Sequence, residues 1–309
     1  GFLSYKAGGI LAPNGKIYFA PGSTDRVLCV DPEACTADLL GPQMAGELKF
    51  AAAGVLAPNG KIYFAPSDAL SVLCIDPQVE RAELIGPTIG GAMKYCADGV
   101  LAANGKIYFA PADASHILCI DTEASDVELM PLPAGELMPH PVQGGKYSAA
   151  GVVAPNGKIF FAPCNAGHVL CIDPEASRVA FLALDAGGYL DYVVGGVLGL
   201  NGMIYYAPCN AGRVLCVDPD ACTAECIGPD IRGTHKYLAS GMLAHNGKIY
   251  FAPGLTGRVL CIDPKANTVE TMRPMIEGTR KFVAGAVQGP DCKIYFAPSS
   301  AGHALSIDP

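Results

Sequence analysis

Hydrophobic and polar positions alternate in short runs along the chain, and no run has the 3.6-residue period of an amphipathic helix. In residues 49–86 a small apolar run, KFAAAGVLAP, leads into an NG turn, and the alternating runs KIYFAP and VLCIDP flank a loop before RAELIGP. Four short runs separated by turn residues predict four antiparallel strands, which we name A to D. Pro-Asn-Gly between strands A and B predicts a tight hairpin turn.

This unit recurs seven times. Its turn lies at Asn14, Asn59, Asn104, Asn156, Asn201, Asn246 and, altered to GPDCKIYFAP, at Asp291. The spacing is 45 residues at every step except for 52 residues between Asn104 and Asn156. Seven such units predict an all-β, seven-bladed β-propeller of four-stranded antiparallel blades. A solenoid and a string of hairpins fit less well, because solenoid coils are usually shorter and isolated hairpins cannot bury these strands.

We expect one propeller domain over residues 1–309. Its repeats lie approximately at 1–41, 42–86, 87–131, 132–183, 184–228, 229–273 and 274–309. The small residues AAAG at 51–54 and SAAG at 148–151 suit a crowded inner strand A. The last repeat stops at Asp308-Pro309, so its blade should lack the outer strand within this chain and expose an edge at HALSI. Further sequence or a partner's strand would complete that edge, the latter by β-augmentation.

Strand register follows from the hairpin between strands B and C. With Phe19 opposite Leu28, Tyr18 faces Cys29 and Lys16 faces Asp31, so apolar residues meet each other and so do opposite charges. The same register pairs Lys and Asp in every other repeat except the fifth, which has Met203.

Six of the thirteen cysteines fill one position of strand C. They are Cys29, Cys74, Cys119, Cys171, Cys216 and Cys261, and Ser306 takes the position in the last repeat. A recurring mid-strand Cys predicts a small buried apolar side chain rather than a disulfide or metal ligand, since successive copies lie on different blades. Such thiols indicate a reducing intracellular compartment, the cytoplasm or an organelle. Cys164 and Cys209 fall in B–C loops, where we expect exposure.

The formal net charge of −8 argues against a nucleic-acid binder, and the longest apolar runs are too short to span a membrane. Charge nevertheless concentrates on the face that carries the B–C and D–A loops. Before strand A stand Lys49, Lys94, Lys146, Lys236 and Lys281, each followed by Tyr or Phe. Before strand C stand Arg26, His116, His168, Arg213, Arg258 and His303. We predict a basic face that binds an acidic protein or a small anionic ligand; alternatively, these residues only solvate loop ends while the aromatic rings pack between blades.

A seven-residue insertion within residues 131–147 adds a second candidate contact. Its side chains of interest are Glu136, Met138, His140 and Gln143. Extra loop length is where a scaffold commonly adds recognition. The three His residues of the basic face lie in separate blades, so we predict no metal site.

The consensus G-G-V-L-A-P-N-G-K-I-Y, a variable loop and then V-L-C-I-D-P resembles the repeat of NGKIY/VLxIDP-type β-propeller proteins, loosely similar to kelch-like and YVTN-type propellers. The resemblance covers essentially the whole chain. It implies the propeller fold and leaves the activity open, because such propellers serve many functions.

Candidate nucleophiles and bases are scattered, so no catalytic residues and no cofactor are predicted. Three functions stay open. A non-catalytic protein-interaction scaffold or complex subunit fits best. A lectin-like binder of carbohydrates or other small molecules is favoured by the similar B–C loops and disfavoured by the absence of Trp. A hydrolase or lyase at the channel mouth fits least.

Overall fold

The structure is a computed structural model that describes residues 4–133, 145–184 and 191–309. Within these ranges the regular elements are β-strands, which form seven antiparallel sheets. Each sheet keeps its strands in chain order, from strand A at one edge to the last strand at the other. The all-β prediction is confirmed, and we call each sheet a blade. No helix in the described ranges has the length and hydrophobicity that crossing a membrane requires.

The chain divides into two compact units, of which the first contains blades 1 to 3, with residues 145–146 and Pro174–Ala176. Blade 1 comprises β1 (Ile10–Leu11), β2 (Ile17–Phe19), β3 (Val27–Asp31) and β4 (Thr36–Leu40). Blade 2 comprises β5 (Val55–Leu56), β6 (Ile62–Phe64), β7 (Val72–Asp76) and β8 (Arg81–Ile85). Blade 3 comprises β9 (Val100–Leu101), β10 (Lys106–Phe109), β11 (His116–Asp121) and β12 (Asp126–Pro131).

The second unit contains blades 4 to 7. Blade 4 comprises β13 (Val152–Val153), β14 (Ile159–Phe161), β15 (His168–Asp173) and β16 (Arg178–Ala183). Blade 5 comprises β17 (Val197–Leu198), β18 (Ile204–Tyr206), β19 (Val214–Asp218) and β20 (Thr223–Ile227). Blade 6 comprises β21 (Met242–Leu243), β22 (Ile249–Phe251), β23 (Val259–Asp263) and β24 (Thr268–Met272). Blade 7 comprises β25 (Ala286–Gln288), β26 (Ile294–Phe296) and β27 (Leu305–Ile307), and so has the three strands predicted for it.

The predicted register between strands B and C is confirmed. Tyr18 pairs with Cys29 and Phe19 with Leu28. In blade 3 Lys106 pairs with Asp121, and their charged atoms lie 3.4 Å apart. Equivalent ion pairs join Lys16 to Asp31, Lys61 to Asp76, Lys248 to Asp263 and Lys293 to Asp308, at 3.5–3.8 Å. These side chains are partly exposed to solvent, which screens the attraction between them, so the pairs mark the register more than they stabilise the fold.

The hydrophobic core lies between successive blades of each unit. Tyr18 and Cys29 of blade 1 pack in one cluster with Ile62, Phe64 and Leu73 of blade 2. We call these two surfaces the Tyr–Cys face and the Ile–Phe–Leu face of a blade. The same pairing of faces joins blades 2 and 3, 4 and 5, 5 and 6, and 6 and 7, with Phe160 in place of Tyr in blade 4. Each fully buried large side chain contributes about 1.5–3 kcal/mol to folding.

Strand A is shorter than the sequence indicates, because its small residues precede the paired segment. In blade 2 only Val55 and Leu56 pair with strand B. Gly54 lies against the ring of Phe64, and a Cβ on Gly54 would stand 2.5 Å from a ring carbon. The absence of a side chain at this position is therefore required by the aromatic residue of the neighbouring strand.

Candidate interaction surfaces

The lysines predicted for a basic face are mostly buried, which corrects the expectation of an exposed lysine ring. Lys49, Lys94, Lys236 and Lys281 are at most 1% exposed, and Lys146 is half-buried. Each fully buried ammonium donates to the carbonyl oxygen three residues earlier, in Gly46, Gly91, Gly233 and Gly278, at 2.5–2.8 Å. Burial lowers the pKa of all five lysines.

The lysines are buried because their position belongs to a chain of backbone hydrogen bonds, which we call the backbone relay. In the first unit Lys49 N–H donates to Gly22 O at 3.2 Å, and Lys49 O accepts from Ser67 N–H at 2.8 Å. The relay continues from Ser67 through Lys94 and Ala112 to Lys146. In the second unit it runs through Cys164, Asp191, Cys209, Lys236, Gly254, Lys281 and Ser299. These bonds connect consecutive blades through main-chain atoms, so the side chain at the lysine position is free to vary, as Asp191 shows.

The second set of predicted binding residues stays nearer the surface. Arg213 and His303 are exposed, and Arg26, His116, His168 and Arg258 are half-buried. The main chain at five of these positions has a structural role. Its carbonyl oxygen accepts a hydrogen bond from the hydroxyl of the tyrosine 21 residues earlier. The pairs are Tyr5 with Arg26, Tyr95 with His116, Tyr147 with His168, Tyr192 with Arg213 and Tyr237 with Arg258, at 3.0–3.4 Å.

Four of these tyrosine rings are fully buried and that of Tyr5 is half-buried, which agrees with the alternative that the aromatic rings pack between blades. Tyr95 is fully buried in the cluster between blades 2 and 3. Positive charge on this face therefore depends on the Arg and His positions rather than on the lysines. The binding of an anionic partner there remains a prediction. The insertion residues Glu136, Met138, His140 and Gln143 lie outside the described residues.

All thirteen cysteines are free thiols. The six strand C cysteines are buried, as predicted. Cys164 and Cys209 are also buried, so the expected exposure of these two loop residues is wrong; their backbone atoms belong to the relay, which holds the loops inward. Burial raises the pKa of Cys74 to about 11 and that of Cys171 to about 12, so these thiols stay protonated near neutral pH. Within the described residues no three His, Cys, Asp or Glu side chains are grouped as metal ligands.

The turn asparagines have a role that sequence reasoning missed. Asn14 Oδ1 accepts from Lys16 N–H at 3.1 Å, which shapes the turn. Its Nδ2 donates to Tyr18 Oη at 2.9 Å and to the carbonyl of Pro77, in the next blade, at 2.8 Å. One side chain thus closes its own hairpin and links two blades. The recurrence of Asn with Tyr four residues later in the sequence is the pattern that could have indicated this role.

The same set of three hydrogen bonds, which we call the bracket, is repeated along the chain. Asn59, Asn104 and Asn201 make all three contacts, with the carbonyls of Thr122, Pro174 and Pro264 as acceptors. Phe160 replaces Tyr in blade 4, and there Asn156 donates to Pro219 O at 2.8 Å and to Asp220 Oδ1 at 3.1 Å.

Blade 7 departs from this pattern because Asp291 replaces the asparagine. Asp291 Oδ1 accepts from Lys293 N–H at 3.2 Å, and Oδ2 accepts the Tyr295 hydroxyl at 2.6 Å. The hydrogen bond from Tyr295 lowers the pKa of Asp291, so the side chain is ionised near neutral pH. A carboxylate has no N–H group to donate, so the bracket to a following blade cannot form at this turn.

Blade 7 also exposes its Tyr–Cys face. Tyr295 is 38% exposed, whereas Tyr18, Tyr63, Tyr108, Tyr205 and Tyr250 are at most 3% exposed. Its pairing partners on the two neighbouring strands are Val287, which is 67% exposed, and Ser306, which is also exposed. We call Val287, Tyr295 and Ser306 the open row of blade 7.

No protein-family model and no curated protein matches the chain. Solved structures do match its fold. A catalytically inactive virginiamycin B lyase from Staphylococcus aureus, solved with quinupristin, has a TM-score of 0.63 and 12% identity and covers 95% of this chain and 92% of its own. A streptogramin B lyase has a TM-score of 0.61 and 15% identity and covers 96% of this chain and 91% of its own. Hydrazine synthase from Kuenenia stuttgartiensis has a TM-score of 0.54 and 13% identity, over 99% of this chain and 96% of its own.

These likenesses, together with the seven antiparallel sheets, confirm the β-propeller prediction. At this level of identity they concern the fold alone.

Proposed function

We propose that the protein is a non-catalytic interaction scaffold, or a subunit of a larger complex, and that blade 7 contacts its protein partner. The observation that carries the proposal is the open row. Tyr295 is 38% exposed where the matching aromatic residues of the other blades are at most 3% exposed, and Val287 is 67% exposed where the matching residues are buried or half-buried and most of them pack against the core. Contiguous exposed apolar side chains mark interaction sites in soluble proteins.

The partner should present an apolar ridge, because that is what a Tyr–Cys face contacts at every described junction within the two units. At the junction of blades 6 and 7, Tyr250 and Cys261 pack against Ile294, Phe296 and Ile307. The partner need not offer a turn carbonyl, since Asp291 cannot donate to one.

The loops before strand C form the second part of the proposal. Arg213 and His303 are exposed basic side chains, so they are our candidates for contact with an acidic surface of the partner. We also propose a reducing compartment inside the cell, which is supported by thirteen free thiols of which Cys35 and Cys292 are exposed.

The proposal is tested by native mass spectrometry of the protein isolated from its source, followed by single substitutions. Val287→Lys should weaken a stoichiometric complex by about tenfold or more, because a charge at an apolar contact is desolvated without a counter-ion. Val79→Lys is the matched control: Val79 is 68% exposed, against 67% for Val287, and lies in a turn of blade 2.

A complex that Val287→Lys leaves intact would contradict the proposal, and so would a lone monomer. A monomer that retains carbohydrate would favour the lectin-like alternative. This protein has the fold of the two lyases reported above. The lyase alternative would be favoured if the protein cleaved a streptogramin at a rate that rises with protein concentration.

A further inference from the structure

We propose that Cys222 is a peroxide-sensitive thiol and that its oxidation ends in a disulfide with Cys171. The site lies between blades 4 and 5 of the second unit, so it is separate from the open row and goes beyond the proposed interaction role. It consists of the thiols of Cys171 and Cys222 and the ammonium group of Lys158, and we call it the thiol cluster.

The first observation is the contact between Lys158 and Cys222. Lys158 Nζ donates to Cys222 Sγ at 3.0 Å, from blade 4 to the turn between β19 and β20 of blade 5. The Cys222 thiol itself donates to the carbonyl oxygen of Pro219 at 3.5 Å. In the first unit the lysine and the turn residue at the same spacing are Lys16 and Glu80, which form an ion pair at 2.5 Å. The turn position therefore accommodates an anion beside the lysine of the preceding blade.

The charge of Lys158 suits this lysine to stabilise a thiolate. The hydrogen bond with Cys222 raises the pKa of Lys158, so the lysine is an ammonium near neutral pH. Thiolates rather than thiols attack electrophiles, and a neighbouring cation favours the thiolate. Cys222 is half-buried, which leaves it accessible to a molecule as small as hydrogen peroxide. Cys222 is therefore the thiol of the cluster that is oxidised first.

The second observation is that Cys171 lies beside Cys222. Cys222 packs against the buried cluster that contains Phe160 and Cys171. In blade 1 the strand C thiol, Cys29, interacts with the hydroxyl of Tyr18. Phe160 has no hydroxyl, and in blade 4 the side chain that interacts with Cys171 is Cys222. The replacement of tyrosine by phenylalanine thus leaves two thiols next to each other between the blades.

The reaction has two steps, with hydrogen peroxide as the oxidant. The Cys222 thiolate, whose proton has passed to water, attacks one peroxide oxygen; an S–O bond forms, the O–O bond breaks, and the departing hydroxide takes up a proton. The sulfur of Cys171 then attacks the sulfenic acid of Cys222; an S–S bond forms, and the hydroxyl group leaves as water with the proton of the Cys171 thiol. The two thiols together lose two electrons, and peroxide is reduced to two water molecules.

The environment of Cys171 sets the order and the pace of these steps. Burial raises the pKa of Cys171 to about 12, so this thiol stays protonated near neutral pH and does not compete for peroxide. For the same reason it attacks slowly in the second step. The sulfenic acid of Cys222 should therefore live long enough to be trapped.

The experiment treats the reduced native protein with hydrogen peroxide, blocks the remaining thiols by alkylation and maps tryptic peptides by mass spectrometry without reduction. We expect peptide 159–178, which contains Cys171, to be linked to peptide 214–232, which contains Cys222. Dimedone added with the peroxide should label Cys222 and lower the yield of the linked peptides. Fragmentation locates the bond, because the two peptides also contain Cys164, Cys216 and Cys226.

Two serine variants separate the steps, and each has a precedent in this chain. Cys171→Ser copies Ser306, at the same position of strand C, and should leave sulfenic acid at Cys222 without a link. Cys222→Ser copies Ser177, at the same turn position of blade 4, and should abolish both products. Thermal unfolding checks that both variants are folded.

A third variant tests the role of the lysine. Lys158→Met copies Met203 of blade 5 and should slow the oxidation of Cys222 by about tenfold, because the thiolate loses its neighbouring cation. Cys35→Ser is the matched control, since Cys35 occupies the same turn position in blade 1 and is exposed. It should leave the yield of the link between Cys171 and Cys222 unchanged.

Three results would overturn the inference. In the first, Cys222 stays reduced while the exposed Cys35 is oxidised. In the second, Cys222 ends as a sulfinic acid, or bonded through oxygen to Lys158, with no link to Cys171. In the third, Lys158→Met leaves the rate of oxidation unchanged. None of these results bears on the contact at blade 7, which Val287→Lys tests separately.

Discussion

At the scale of single residues, the turn asparagines do more for this fold than the charged side chains that attract attention in the sequence. Asn59 Oδ1 accepts from Lys61 N–H, while Nδ2 donates to Tyr63 Oη at 3.0 Å and to the carbonyl of Thr122 at 2.5 Å. Because the last contact crosses to blade 3, the side chain joins local turn geometry to the packing of neighbouring blades.

Asn59→Ala should lower the free energy of unfolding by about 2–3 kcal/mol, since three hydrogen bonds are lost at about 1 kcal/mol each. Asn59→Asp should cost only about 1 kcal/mol. A carboxylate can keep the contacts to Lys61 and Tyr63, as Asp291 does with Lys293 and Tyr295, and loses only the donation to Thr122. Urea denaturation measures both; equal losses would show that the contact between blades contributes nothing.

At the scale of the strand, the short inner strand is explained by the aromatic residue beside it. The Phe64 ring lies over the backbone at Gly54, so the chain in front of β5 carries no side chain there. Gly9, Gly99, Gly196 and Gly241 stand in the same relation to Phe19, Phe109, Tyr206 and Phe251. The Gly and the aromatic residue ten positions later form one structural pair within a blade.

Gly54→Ala should destabilise the protein by about 1–3 kcal/mol, because the new methyl group would overlap the fully buried Phe64 ring. Gly8→Ala is the control, since nothing lies within 4 Å of a Cβ at Gly8. It should change stability by less than about 0.5 kcal/mol. Thermal unfolding of the two variants decides, and similar melting temperatures would contradict this account of the inner strand.

The sequence predicts the strands, their order and their register well, because these depend on an alternation that seven repeats reinforce. The hairpin pairing of Tyr18 with Cys29 follows directly from that alternation. The burial of Lys94 does not follow from that alternation, because a lysine before an aromatic residue is typical of a charged, exposed loop end. Only the folded backbone shows that its ammonium meets the carbonyl of Gly91 at 2.7 Å.

The exposed face of blade 7 is also not predictable from the sequence alone. The sequence predicts the missing outer strand, but the exposure of Tyr295 depends on which neighbours cover it.

At the scale of the whole molecule, the thirteen cysteines fall into three groups by their exposure to solvent. Cys35 and Cys292 are exposed, three are half-buried and the other eight are buried. Burial raises the pKa of Cys74, Cys119 and Cys216 to about 11, so these thiols are both protonated and inaccessible at neutral pH.

Titration of the native protein with a thiol reagent at about pH 8 should therefore show two fast-reacting cysteines, slower reaction of the three half-buried ones, and eight that react only on unfolding. In the double variant Cys35→Ser with Cys292→Ser the fast phase should disappear. Fast reaction of many thiols in the native state would mean that the spaces between blades open readily to solvent.

The backbone relay has a consequence for how this protein can diversify. Its links use only N–H and C=O groups, so at the lysine positions the connection does not depend on which side chain is present, proline excepted. The aspartate at position 191 already illustrates this tolerance. Descendants of this sequence can therefore exchange one set of loop chemistries for another while the framework beneath them is inherited intact.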